Sequence, residues 1–399
     1  MWLSVAPIAL AAAGWLSCRN SRSAAGSREI LAPHGTRIEE YMGDGSCAEC
    51  HAAVHQQQCR SRMARALTLG ADLPGDQIVS PGEVNDSANG LTYRVSRESD
   101  GWRLEVVRGE EYAVAPISYF LGSGERGLTP LWEQDPDNYV ELRISYYADT
   151  ETWDFTPGQE DAAPVALPDA LGRQISKKGR FGCLTCHSTL LVQDRGKIDL
   201  DRSLFGVHCE RCHGPGRQHV EAAKRGDVLP TRNPAVAQAT SLAGRFFEGE
   251  VPDTPQDKFL WSVAKARDER LIRDLYMCGD CHGRSALHNE SDDTELAMFQ
   301  VAALAASKCY QRGPGKIRCT DCHDPHRDIA DTDGARYVAV CLGCHQDADS
   351  LAQPARTAGQ VPAKTCPVDA RGGCIECHMP KKSPMYRTRF THHRIGLHS

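Results

Sequence analysis

The sequence predicts a mixed fold, mostly short helices and loops with one antiparallel β-rich module inserted, and three observations predict it. The pentapeptide C-x-x-C-H recurs seven times, the long stretch between the first two copies alternates apolar and polar residues, and bulky side chains are scarce for 399 residues. Hydrophobic residues make up 41% and aromatic residues 7%, a lean supply for filling an interior. Something other than side chains is expected to contribute to the core.

The repeated motif says what. Its copies are Cys47-Ala-Glu-Cys50-His51, Cys183-Leu-Thr-Cys186-His187, Cys209-Glu-Arg-Cys212-His213, Cys278-Gly-Asp-Cys281-His282, Cys319-Thr-Asp-Cys322-His323, Cys341-Leu-Gly-Cys344-His345 and Cys374-Ile-Glu-Cys377-His378. C-x-x-C-H is the attachment signature of c-type haem: two thiols add to neighbouring vinyl groups, and the adjacent imidazole takes the iron. A zinc knuckle pairs two half-sites at fixed separation, and a redox dithiol does not require the histidine. Here all seven pairs carry it while the gaps between copies vary widely. The chain is therefore expected to bind seven covalently attached c-type haems and to be haem-packed. The motif uses fourteen of the eighteen cysteines, leaving Cys18, Cys59, Cys309 and Cys366.

The organisation follows from motif density. Residues 1–17 are apolar and uncharged, and Cys18-Arg-Asn-Ser-Arg then turns polar, so residues 1–18 read as a signal peptide or lipoprotein signal, with Cys18 a candidate lipidated attachment to the membrane. Residues 19–74 form the first haem segment, 75–165 the β-rich insert without haem, and 175–399 a six-haem C-terminal domain. Within the insert, Leu91 to Ser96 and Trp102 to Val107 alternate across an Asp100-Gly101 turn, and Tyr139 to Tyr146 alternates again. Helices are expected over Asp257 to Met277 and Glu295 to Lys308. Gly122-Ser-Gly124-Glu-Arg-Gly127 satisfies a dinucleotide-binding spacing, but Pro130 and the antiparallel surroundings deny it the helix it needs, so it reads as a glycine turn. The net charge of −6 and the lack of a long basic block argue against nucleic acid as a partner.

With the motifs Cys209-Glu-Arg-Cys-His-Gly-Pro-Gly-Arg-Gln-His219, Cys319-Thr-Asp-Cys-His-Asp-Pro-His326 and Cys374-Ile-Glu-Cys-His-Met-Pro-Lys381 in view, residues 41 to 395 resemble the multihaem cytochrome c superfamily. That superfamily includes the tetrahaem cytochrome of ammonia oxidisers and the pentahaem donors to nitrite reductase. The chain is most similar to the long doubled-motif bacterial branch whose first haem is followed by a β-rich insert. The resemblance implies stacked haems and electron transfer, and supplies no substrate.

Axial ligation decides whether a haem carries electrons or does chemistry. The proximal ligands are His51, His187, His213, His282, His323, His345 and His378, and candidate distal ligands are Met63, His55, His208, His219, His288, His326, His392 and His393. His326 lies three residues after His323, too tightly tethered to reach the far face of the same iron, so it is expected to serve a neighbouring haem. The resemblance places His219 and His393 at distal positions. Met63, in Ser61-Arg-Met63, stands where the family often has a histidine; it and His55 compete for the iron of His51, and Met63 packed against the ring is the other reading. His34 and His398 read as solvated. Cys309 and Cys366 each precede a haem motif and have no haem to bind, so they are expected to form a disulfide in an oxidising compartment.

Two functions are compatible with these residues. One is an exported electron carrier, periplasmic or anchored facing the periplasm, working between a quinol-linked donor and a terminal reductase or other cytochrome. The other is a multihaem oxidoreductase in which one open haem acts on a small nitrogen or sulfur compound. No C-x-x-C-K replaces a motif, which removes the usual sign of a lysine-ligated nitrite reductase site.

Overall fold

The computed structural model of the chain describes residues 30–31, 37–73, 79–135, 138–175, 183–194, 197–227, 277–279, 281–282, 293–312, 317–345 and 373–398. Helices and antiparallel sheets share these residues. The strands are β1 (Ile30–Leu31), β2 (Leu67–Leu69), β3 (Gly82–Asp86), β4 (Leu91–Glu98), β5 (Gly101–Arg108), β6 (Glu111–Pro116), β7 (Tyr119–Leu121), β8 (Gly127–Asp135), β9 (Asn138–Leu142), β10 (Ile144–Tyr147), β11 (Thr152–Phe155), β12 (Gly172–Ile175), β13 (Ser188–Asp194), β14 (Lys197–Ile198), β15 (Leu204–Phe205), β16 (Lys381–Lys382) and β17 (Phe390–Thr391).

Two sheets make the insert. The first runs in the order β3-β4-β5-β6; the second runs β11-β10-β8-β7-β2, with β9 joined to β8 and β12 to β9. Period-two patterning explains the first: Leu91, Tyr93 and Val95 of β4 and Trp102, Leu104 and Val106 of β5 are buried, while Arg94, Arg103 and Glu105 alternate with them on the other face. The hairpin register pairs Glu98 with Gly101, so the loop residues are Ser99 and Asp100, one position before the expected turn. A single core joins the sheets, with Trp102 edge-on to Phe120 at 6.1 Å between ring centres. Residues 122–126 are the loop between β7 and β8, and no helix opens there. A Cβ on Gly122, at φ +112, would meet the Gly127 carbonyl oxygen at 2.3 Å, so the spacing that imitates a nucleotide fingerprint belongs to a tight turn.

The expected strand from 139 to 146 is broken at Arg143. That side chain is buried, where it pairs with Asp86 at 3.1 Å and donates to the Tyr93 hydroxyl at 2.7 Å. Its backbone N–H goes instead to Leu171 and its carbonyl to Thr156, which divides the run into β9 and β10. The second sheet also reaches past the expected insert at both ends, through β2 and β12.

The helices are α1 (Asp44–Cys59), α2 (183–186), α3 (Cys209–His213), α4 (Arg217–Arg225), α5 (Asp293–Leu296), α6 (Gln300–Ala305), α7 (Lys308–Arg312), α8 (Cys319–Cys322), α9 (Gly334–Leu342) and α10 (Cys374–His378). The helix expected from 295 to 308 is three pieces, interrupted where Phe299 takes a non-helical φ −114 and ψ 79. The other expected helix lies outside the described residues except for Met277. Strands also enter the haem-motif region: β13 leaves directly from the second motif and carries β1, β14 and β15, and β15 leads into the third. These strands fix the spacing of two motifs.

Candidate functional site

Every described motif sits on a short helix or at its end, which points its two cysteines and its histidine into one local patch. Cys47 and Cys50 lie on α1, Cys183 and Cys186 on α2, Cys209 and Cys212 on α3, Cys319 and Cys322 on α8, and Cys374 and Cys377 on α10. Cys278 and Cys281 lie on described helical residues, and Cys341 ends α9 with Cys344 just beyond. All fourteen motif cysteines are unbridged thiols, as thioether formation requires.

The imidazoles supply the fit test for haem. An iron held by a nitrogen on each face at about 2 Å places the two ring centres roughly 6 Å apart. His51 and His219 have ring centres 6.2 Å apart with planes 24° from parallel. His213 and His326 stand 6.0 Å apart at 15°, and His323 and His393 6.1 Å apart at 38°. Each pair joins a motif histidine to a histidine from elsewhere in the chain, so the residues fit a six-coordinate haem iron in each.

Ring orientation is set from behind. The Nδ1 atoms of His187, His378 and His393 face the backbone carbonyls of Ala66 at 2.7 Å, Gly396 at 3.0 Å and Thr391 at 2.9 Å, leaving Nε2 to a metal. His326 Nδ1 faces the Asp324 carboxylate at 3.3 Å. Burial lowers the pKa of His187, His213, His282 and His323 and pushes His393 down to about 4, which keeps the rings neutral and able to ligate. Burial also pushes the Cys212 thiol up to about 11.

One carboxylate ties two motifs together. Glu210, the first intervening residue of the third motif, accepts from Met42 N and Gly43 N at 2.8 Å each, at the start of α1, and from Gly216 N at 2.7 Å, at the start of α4. His51 rides on α1 and His219 on α4, so Glu210 anchors both sides of that imidazole pair. Neighbouring motifs also come together: Cys47 faces Cys209, Cys281 Sγ lies 3.7 Å from the Cys186 carbonyl, and Cys341 faces Cys374.

Other candidates are placed differently. His219, not Met63 or His55, stands opposite His51. Met63 serves through its backbone carbonyl, which accepts from Val207 N at 2.8 Å. His55 Nε2 faces Asp44 at 3.1 Å, and His208 Nδ1 faces the same carboxylate at 3.8 Å. His392 is buried with its ring centre 5.1 Å from that of His398, closer than an iron between them allows. His398, expected in solvent, also has Nε2 at 2.8 Å from the Arg394 carbonyl. His345 is exposed. His34, His288, Cys18 and Cys366 lie outside the described residues. Of the expected Cys309–Cys366 bridge the structure describes one end, and there Cys309 is a free thiol 3.5 Å from Ser307 Oγ; among the described residues Cys59 is disulfide-bonded. Position before a motif did not fix the direction of the Cys309 side chain.

Comparison with known proteins agrees with this geometry. Residues 155–214, which hold the second and third motifs, match the family model described as cytochrome c554 and c-prime. The chain is 24% identical over 229 residues to the multiheme cytochrome MtrA of Shewanella baltica (strain OS185), an alignment covering 52% of this chain and 65% of that relative. The chain thus spans a little under two thirds of that protein. The crystal structure of the outer cell wall cytochrome OcwA overlaps 89% of this chain and 80% of its own at 15% identity, with a TM-score of 0.41, too low to bear on the fold. The repeated motif, the opposed imidazoles and the likenesses to the cytochrome c554 family model and to MtrA point the same way: the chain is similar to the multihaem c-type cytochromes, a likeness that implies covalently bound haem.

Proposed function

We propose that the chain is an exported heptahaem electron-transfer protein, carrying electrons along neighbouring haems between redox partner proteins. The observation that carries this reading is the set of three opposed imidazole pairs, because an iron with both faces occupied exchanges electrons without binding a substrate. Bound haem would supply one-electron redox chemistry at each motif. The protein's own residues hold and orient the rings and set motifs side by side through Cys47 and Cys209, Cys186 and Cys281, and Cys341 and Cys374. Proximity of motifs favours relay over isolated sites.

Export is supported by the apolar residues 1–17, by c-type attachment chemistry and by the disulfide at Cys59, which suits an oxidising compartment. Among the described residues no helix is long and apolar enough to cross a membrane. Anchoring through lipidated Cys18, a quinol-linked donor, and a terminal reductase or other cytochrome as acceptor complete the proposal.

Electron paramagnetic resonance of the oxidised protein, paired with intact mass, tests it. Seven added haems and a spectrum that stays low-spin with nitrite, hydroxylamine or tetrathionate are expected. A high-spin haem whose signal shifts with one of these, together with turnover using a reduced dye, would replace the carrier reading with the oxidoreductase one.

A further inference from the structure

Charge is distributed unevenly around the seventh motif. The chain as a whole carries −6, yet the described residues from that motif onward, 373–398, hold Lys381, Lys382, Arg387, Arg389 and Arg394 against Glu376. Arg387 is paired with Asp154 of the insert, which leaves four basic residues to one acidic. The first motif differs. Its Cys50 is exposed as well, but the cations beside it are matched one to one, Lys224 with Glu49 at 3.3 Å and Arg225 with Asp227 at 2.9 Å.

The strand register shows which charges share a face. Lys381 pairs with Thr391 and Lys382 with Phe390 across β16 and β17, and His392 N donates to the Pro380 carbonyl at 3.0 Å. Side chains alternate along a strand, so Lys381 and Thr391 share one face with Arg389, while Lys382, Phe390 and His392 take the other. His392 is buried, whereas Lys381 and Arg389 are exposed, so the first face is the outward one. The chain end closes over the motif from the other side. His378 Nδ1 faces the Gly396 carbonyl at 3.0 Å, which brings exposed Arg394 and Leu397 back to the motif whose Cys377 is itself exposed. Met385, at 40% exposure, and Leu397, at 91%, give this basic segment apolar surface of the kind that a protein partner covers.

We propose, on the carrier reading above, that Lys381, Arg389 and Arg394 with Met385 and Leu397 form a docking face for an acidic one-electron redox protein, which exchanges electrons with the chain at the seventh motif. An acidic partner is repelled by the chain's net charge at long range and attracted at this face, so the local charge selects both the partner and its orientation. Each transfer oxidises one protein by one electron and reduces the other, with no bond made or broken. Cys374 faces Cys341, so the docked motif is continuous with the sixth.

Stopped-flow mixing of the oxidised holo-cytochrome with a pre-reduced plant-type ferredoxin, an acidic one-electron iron–sulfur protein, tests the face. Two proteins that meet through their net charges react faster as sodium chloride is added; a local basic face makes the reaction slower, and slower is expected. Lys381→Glu with Arg389→Glu should lower the rate at low salt by about tenfold or more. Lys224→Glu with Arg225→Glu makes the same change in net charge beside the first motif and should lower it by less than about twofold. In the wild type, carbodiimide should join ferredoxin carboxylates to Lys381 or Lys382. A rate that rises with salt, equal losses in the two double variants, or cross-links confined to other lysines would overturn the face. With low-spin spectra and full reduction by dithionite preserved in both variants, a rate indifferent to Lys381 and Arg389 removes the face and leaves the carrier reading standing; a high-spin haem that turns over a substrate removes that reading instead.

Discussion

His326 shows how much one side chain can settle. Asp324 receives its backbone N–H at 3.0 Å and faces its Nδ1, which turns the ring away from its own motif and toward His213 of another. Replacing His326 with alanine should therefore leave one iron high-spin, the one held by His213, without loss of covalent haem, because Cys209, Cys212, Cys319 and Cys322 are untouched. Paramagnetic resonance with a haem count checks this, and the His326→Ala, His393→Ala double variant should show two open irons. An effect at the iron of His323 from His326→Ala alone would refute the pairing. The three-residue tether to His323 excludes His326 from its own iron; its actual partner depends on the turn between Asp324 and Asp328, which spacing does not encode. The same limit hid Glu210, since nothing in Cys-Glu-Arg-Cys-His marks an acceptor for three backbone N–H groups.

Among elements, the β4–β5 hairpin was the most legible because alternation there is strict and one face is buried. Trp102 is its anchor, 2% exposed, with the indole N–H donated to the Leu73 carbonyl at 3.2 Å. Trp102→Ala should lower stability by about 3–5 kcal/mol in chemical denaturation followed by circular dichroism, with the haem spectrum unchanged in native buffer. A loss below about 1 kcal/mol would mean that the cavity is refilled. The split at Arg143 was not legible, because an arginine within an alternating run reads as an outward-facing residue and only its partners Asp86 and Tyr93 reveal that it is buried. Nor were β13 to β15, whose strands are short and interleaved with motifs that dominate the local pattern. The C-terminal hairpin of β16 and β17 returns to the insert through Arg387 and Tyr386, both on Asp154, a contact between segments more than two hundred residues apart. Composition could show that the chain was short of bulky residues, but not how its distant segments meet.

Across the whole molecule the three imidazole pairs follow one rule. The first motif takes its opposed ring from the segment after the third, the third from the segment after the fifth, and the fifth from the segment after the seventh. A chain laced this way has a direction in time. Emerging from its N-terminus, it presents His51 long before His219, and His323 before His393, so each of these irons must wait half-ligated for chain that has not yet arrived. Such a maturing cytochrome would be transiently open to carbon monoxide and to peroxide, and of these three irons the one at His323 would close last, when His393 is delivered. A stop after Thr391 should preserve that vulnerable state permanently: carbon monoxide should gain a site at His323 that the full chain lacks, while the irons at His51 and His213 stay closed. Carbon monoxide binding at either of those would show that the lacing is not the order of closure.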